Sequence, residues 1–248
     1  MSLIAVGSAK ASPGSTSLAA GLSMAWQKTL NRQAVLVEAD GDGGILAARF
    51  GLASSPSLLE LSGTARHELS LKGLQANCQP LIDQVLCLVA PGCSVTASTV
   101  LASLGPRLAE GLSQFNELDA IVDVGRIRPN SAAEALTKQC SLLVVVTRPE
   151  FDQLVPLAHL ARTLEDQNIP AALVCIGDRP YPPTEMAKTS GLDLLGVMAY
   201  DERVGQALLG GWPSTHRQRR LLLWRTLEEL SKRIHQRVQP SPEPHVAT

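Results

Sequence analysis

The sequence predicts an α/β fold, a doubly wound, mostly parallel sheet flanked by helices. Three observations carry that expectation. Short, continuously apolar runs alternate with helical stretches along the chain, and strands buried on both faces read as such unbroken runs. The first run passes through a short loop of small residues into a helix, the order of a strand-loop-helix unit. Acidic residues close two later runs, and in open α/β sheets ligands sit at the carboxyl ends of strands.

Strands are expected at Leu3 to Val6, Ala34 to Glu38, Val85 to Val89, Ala120 to Val122, Leu142 to Val146, Ala171 to Ile176 and Leu194 to Val197. Helices are expected near Gly14 to Lys28, Val95 to Leu112, Ser131 to Lys138, Asp152 to Asp166, Pro183 to Thr189 and Arg217 to Arg237. No internal repeat is visible, and residues 1–209 read as one domain. Gly210, Gly211 and Pro213 mark a break. Residues 210–238 are expected to form a linker and a C-terminal helix packed on or extending that domain, and residues 239–248 a disordered tail.

Composition narrows the function classes. With 248 residues and an apolar fraction of 45%, one large core is available, built from Leu, Val, Ile and Ala because aromatic residues are scarce. A net charge of -1 gives no global reason to expect nucleic-acid binding. The five cysteines, Cys78, Cys87, Cys93, Cys140 and Cys175, contain no C-x-x-C pair, which argues against a disulfide framework and a structural zinc site. Reduced thiols in the cytosol are the expectation. No signal peptide opens the chain, and no apolar run approaches the roughly 20 residues of a membrane span. The five histidines, His67, His159, His216, His235 and His245, are scattered without metal spacing.

Residues Ser8 to Ser17 read SAKASPGSTS. The common phosphate-binding loop, G-x-x-x-x-G-K-[ST], uses glycines for close backbone approach, a lysine at the β/γ-phosphates and a hydroxyl on magnesium. Gly14 and Thr16 stand where the last glycine and the hydroxyl belong, Ser15 replaces the lysine, and Lys10 lies near the loop's start. Backbone donors and the helix N-terminus remain an anion site without the lysine. The same stretch also fits an ordinary strand-turn-helix with Pro13 near the helix start. The second strand ends in EADGDGG, Glu38 to Gly44, which reads as acidic groups facing the loop or as an acidic turn. A third element, DAIVDVGRIRP from Asp119 to Pro129, places Asp123 and then Gly125 after apolar residues. An Asp there can hold magnesium, and the glycine can act as a pivot. Arg126 and Arg128 fit a solvated face, a phosphate or a partner.

These three elements resemble the MinD/ParA family of deviant-Walker P-loop ATPases, which position cellular cargo. On that resemblance Lys10 matches the family's signature lysine, which reaches across a dimer interface to the partner's nucleotide. Gly14 matches the last glycine, Thr16 the magnesium hydroxyl and Ser17 the Ser/Thr after it. The implied nucleotide contacts are Lys10, Ala11, Ser12, Pro13, Gly14, Ser15, Thr16 and Ser17. The implied magnesium contacts are Thr16, Asp123 and Asp40. Asp40, which orients the attacking water in the family, and Lys10 are the implied catalytic residues, with ATP and Mg2+ as cofactors. Glu38 falls on the first position of the family's D-x-D element, and Asp42 has no family counterpart.

The chain departs from the family at Ala9, Ala11, Ser12 and Ser15. Alanine and serine resist φ > 0, so the loop is expected to hold phosphate less closely. Losing the lysine removes a charge that stabilises the transferred phosphoryl group, so binding is expected to outlast hydrolysis. Further stretches resemble the family along Met1 to Leu209: a lid-like segment from Leu58 to Gly92, LVVVTRPEFDQL from Leu143 to Leu154, and GVMAYDERVGQAL from Gly196 to Leu208. After the strand ending at Ile176 the family has an Asn that reads adenine, whereas this chain has Gly177, Asp178 and Arg179. An Asp can accept from an exocyclic amine and an Arg can stack on a purine.

The resemblance implies a homodimer that assembles with ATP and works with other assembly-machine proteins as a spatial-positioning or localisation factor, with weak or absent hydrolysis. The altered loop resembles that of TadZ/CpaE-like proteins of pilus assembly. Two alternatives are an active, slow ATPase for cargo or chromosome/plasmid partitioning and a metabolic ATP-dependent ligase on the same fold. A cytoplasmic location is implied, with a peripheral position at the inner face of the membrane as a variant. The latter depends on the last helix, where Leu223, Leu227, Leu230 and Ile234 form an apolar stripe behind Arg217, Arg219 and Arg220. That stripe suits either an anionic lipid surface or docking on the domain.

Overall fold

Apolar runs too short for helices and rich in Val, Ile and Leu form the strands, and the stretches between them wind back over either face. The computed structural model describes residues 2–10, 13–65, 68–81, 85–116, 118–202 and 221–239. In chain order the elements begin with β1 (Leu3–Ser8), α1 (Ser15–Leu30), β2 (Ala34–Glu38), α2 (Leu46–Phe50), α3 (Leu58–Thr64) and α4 (Leu71–Asn77). There follow β3 (Gln79–Pro80), β4 (Leu86–Leu88), α5 (Ser94–Gln114), β5 (Asp119–Arg126), α6 (Glu134–Gln139) and β6 (Leu142–Thr147). The chain continues through α7 (Phe151–Asp166), β7 (Ala171–Ile176), α8 (Pro183–Ser190), β8 (Leu194–Met198) and α9 (Leu222–Val238).

Among the described residues the strands form one sheet of eight in the order β3-β4-β2-β5-β1-β6-β7-β8, doubly wound as expected. Every pairing is parallel except that of the two-residue edge strand β3 with β4. The winding reverses beside β1, which lies between β5 and β6, so the crevice beyond the carboxyl ends of β1 and β5 is the topological switch point.

Alternation along β1 divides the core in two. Ile4 and Val6 pack with α1 and α9, whereas Leu3 and Ala5 face the layer formed by α3, α5, α6 and α7. Asp119, which opens β5, is buried and ties the far end of the sheet to α1. It accepts from Trp26 Nε1 at 2.9 Å, from Arg32 Nε and Nη2 at 2.6 and 3.0 Å, and from the Ser2 N–H at 3.0 Å.

The last helix is docked. Leu223, Trp224, Leu227, Leu230 and Ile234 are all buried against α1 and the sheet. The approach is close because Gly21 has no side chain: a Cβ there would stand 2.7 Å from Leu227 Cδ1. Lys28 lies over the Trp224 ring, and Arg237 pairs with Asp193 just before β8. The apolar stripe that fits a lipid surface is therefore spent on the core. Among the described residues no helix is long and apolar enough to cross a membrane. The break at Gly210, Gly211 and Pro213, the basic run of Arg217, Arg219 and Arg220, and the tail from Pro240 lie outside the described residues.

The structure differs from the sequence expectation in short pieces. The stretch from Leu58 to Gly92 holds α3, α4 and β3, and α2 precedes it. The helix expected from Ser131 starts at Glu134, because Asn130 has φ 57° and residues Ser131 to Ala133 form a turn. Helices of five to seven residues do not complete the two turns that show a periodicity, and they owe their stability to packing. One signal was present: Ser57 and Glu60 form a capping box at α3.

Candidate functional site

The loop after β1 ends at Gly14, whose φ of 110° and ψ of 25° suit a residue without Cβ. A Cβ at Gly14 would also stand 2.7 Å from Ile176 Cδ1, so the loop lies against the end of β7. From there α1 starts with no side-chain cap and no acidic residue in its first turn, which leaves its N–H groups directed at the crevice. Ser15, at the position of the conventional lysine, is buried, whereas Thr16 and Ser17 are half-buried. Pro13, Gly14 and Ser17 line a cavity of about 220 Å³. Ala11 and Ser12 lie outside the described residues.

Asp123 is wholly buried at the end of β5, with Thr16 near it at the start of α1. Its Oδ1 also accepts from the Gly125 N–H at 3.1 Å. Burial pushes the Asp123 carboxyl up to about 7, against the hydrogen bonds of Thr16 and Gly125 and with help from the nearby charges of Asp40 and Glu38. Asp40 accepts from the Asp42 N–H at 2.9 Å. Burial raises its carboxyl too, opposed by that hydrogen bond. Gly125 has φ 61°, and a Cβ there would fall 2.3 Å from Asp40 Cγ. The Asp40 carboxylate thus occupies the place a side chain at 125 would need, and these two elements meet only because that residue is glycine.

Two neighbouring acids take other work. Glu38 is buried and accepts from Ile45 N–H at 2.6 Å and from Leu46 and Ala90 N–H at 2.9 Å each. It braces the loops after β2 and β4. Asp42, without a family counterpart, forms an ion pair with Arg128 and so ties the turn carrying Asp40 to the segment after Gly125.

Lys10 is also engaged within the chain: it pairs with Asp152 in the first turn of α7. Both groups are substantially exposed, so the pair is a weak tether. Arg126 donates from Nε to the Ala9 carbonyl at 3.3 Å.

On the other side of β1, beyond β7 and β8, a cavity of about 640 Å³ is lined by Arg148, Gly177, Asp178, Arg179, Tyr200 and Thr226, among others. Arg148 lies over the Tyr200 ring at 5.3 Å, and its buried Nε has no partner among the described residues. The sequence expectation includes Asp178 and Arg179 here but not Arg148 or Tyr200. The signal for the first was an arginine directly after the apolar run ending at Thr147.

All five cysteines are free, and only Cys93 is exposed. Among the described residues no group of three His, Cys, Asp or Glu could hold a metal by itself.

A glycine-bearing loop running into a helix, a buried Asp at the end of the neighbouring strand, and a doubly wound sheet together give the chain the arrangement of a P-loop fold. Among solved structures the chain is similar to a ParA family ATPase from Chlorobium tepidum, with 17% identity, a TM-score of 0.77, and coverage of 93% of this chain and 97% of that one. It is also similar to the septum site-determining protein MinD complexed with Mg-ADP from Pyrococcus horikoshii (18% identity, TM-score 0.76, coverage 93% and 94%). A third neighbour is an ATP complex of a Cyanothece McdA variant (15% identity, TM-score 0.67, coverage 96% of each chain). The chain has the MinD/ParA fold. No family model matches the sequence, and no curated protein does.

Proposed function

We propose that this protein is an atypical MinD/ParA-like nucleotide-binding protein that dimerises with ATP and acts as a spatial-positioning or assembly-localisation factor, with weak or absent hydrolysis. The observation that carries this reading is the wholly buried carboxyl of Asp123 at the end of β5, the strand beside β1, with Thr16 near it at the foot of the loop and a Ser15 there that carries no charge. Magnesium fits that donor set, since it takes a few hard oxygen ligands and leaves the remaining positions to phosphate and water. Thr16 and Asp123 would hold it, with Asp40 as a nearby carboxylate. Bound there, the ion would neutralise phosphate charge and settle the Asp123 carboxyl in its ionised form.

In this reading the N–H groups of the loop and of α1 bind phosphate, the Arg148 and Tyr200 cavity receives the base, and Asp40, resting on Gly125, orients water. Lys10 leaves Asp152 to meet the nucleotide of a second copy. The cytoplasm and a role beside other assembly proteins, such as those of pilus systems, follow from the same resemblance. The docked α9 supports no lipid contact by its apolar face. An active slow ATPase is the second reading, favoured by the Asp40 carboxylate already resting on Gly125.

Titrating the protein with fluorescent ATP and ADP, with and without magnesium, and measuring its mass in solution test the proposal. Magnesium ATP is expected to give a dimer that Lys10→Ala weakens, with phosphate release close to background. A monomer that ignores nucleotide sinks the proposal, and steady turnover selects the second reading. Ser15→Lys is expected to raise hydrolysis.

A further inference from the structure

We infer that Arg126 stands in for the missing loop lysine and contacts the terminal phosphate of a nucleoside triphosphate bound to its own chain. This rests on the nucleotide-binding reading above. The loop's lysine position holds Ser15, and the loop's own cation, Lys10, is engaged by Asp152. Arg126 is the last residue of β5, three after Asp123 and one after Gly125. Its backbone lies in register with Ser8, the last residue of β1, so the side chain starts beside the loop's entry. The hydrogen bond from its Nε to the Ala9 carbonyl lays the guanidinium against that entry.

Pairing separates Arg126 from Arg128 and Arg148, and position separates it from Arg49, which lines the cavity on the β7 and β8 side of the loop with Met198 and Tyr200. Arg128 is paired with Asp42, and Arg148 is stacked on Tyr200. Arg126 is exposed, and among the described residues no carboxylate lies within ion-pair distance of it. A guanidinium resting on one neutral carbonyl keeps its terminal N–H groups for an anion and can grip phosphate through two of them. The sheet order gives the direction. The large cavity lies at the β7 and β8 side of β1, and β5 lies on the opposite side. A nucleotide with its base in that cavity runs its phosphates along the loop towards β5, and the last phosphate reaches Arg126.

The test compares magnesium ATP and magnesium ADP binding by the full chain and by Arg126→Ala, using fluorescent analogues. Arg126→Ala is expected to lose about tenfold or more in ATP affinity, the weight of a charge-assisted hydrogen bond, while ADP affinity moves by less than about threefold. Arg126→Lys should fall between, and adding Ser15→Lys to Arg126→Ala should recover ATP affinity. Arg126→Gln gives the same comparison if the alanine variant is unstable. An unchanged ratio of ATP to ADP affinity, or equal losses for both, overturns the inference while the nucleotide reading stands. If the unaltered protein binds neither nucleotide, the reading falls and the inference with it.

Discussion

Leu227→Ala separates a docked last helix from one free to lie on a membrane. Leu227 is completely buried, and its methyl groups fill the space over Gly21, where no side chain can move in to replace them. Truncation of a buried leucine costs about 2 to 5 kcal/mol, rising with the cavity that remains, and the bare backbone opposite places this site in the upper half of that range. The five buried apolar side chains of α9 together contribute roughly 8 to 15 kcal/mol at about 1.5 to 3 kcal/mol each. That is comparable to the net stability of an ordinary domain, roughly 5 to 15 kcal/mol, so releasing the helix to lipid would leave little folded protein. Urea unfolding followed by far-ultraviolet circular dichroism measures the cost. A loss below about 1 kcal/mol would mean that Leu227 is not packed over Gly21 and that this face of α9 is free for lipid.

Three further outcomes follow. Asp119→Asn is expected to cost about 3 kcal/mol at pH 7, because it weakens a buried acceptor of three donor groups. Burial raises the Asp119 carboxyl, but the hydrogen bonds from Arg32 and Trp26 hold it below the usual carboxylate value. Its contribution is therefore complete above the unfolded-state value near 3.9 and is lost as pH falls through the lower folded-state value, so urea titrations of protein and variant should converge in acid. Asp152→Asn frees Lys10 and should strengthen the magnesium ATP dimer up to about fivefold, the ceiling for an exposed ion pair, as read by mass in solution. Native alkylation followed by mass spectrometry should label Cys93 first, because hydrogen bonds from the Thr96 and Val95 N–H groups lower its exposed thiol. Burial pushes Cys78, Cys140 and Cys175 up to about 12 and Cys87 well above its usual value, so these should react only on unfolding.

The parallel strands were legible because a strand buried on both faces leaves an unbroken apolar run, and the loop was legible because Gly14 and Thr16 hold fixed places beside it. The nearness of Thr16 to Asp123 follows because the loop leaves β1 and Asp123 lies at the end of the neighbouring β5. What stayed hidden depends on long-range folding. Lys10 and Asp152 meet across 142 residues, and Asp42 finds Arg128 across 86. Glu38 shows why strand-end acids are ambiguous: nothing local tells whether such a carboxylate faces the crevice or turns back to collect backbone N–H groups. Arg148 and Tyr200 likewise belong to separate segments, and only the order of β6, β7 and β8 brings them together.

The brace at Glu38 has a mechanical consequence. By gripping the N–H groups of Ile45 and Leu46, it closes the chain from Ala39 to Gly44 into a small ring, and its hold on Ala90 pins that ring to the loop after β4. Asp40 sits within this ring, so the same hydrogen bonds that close the ring hold its carboxylate against Gly125. The Asp42–Arg128 pair joins the ring to the segment that follows Gly125, and because both groups are exposed it is a weak link beside the buried brace.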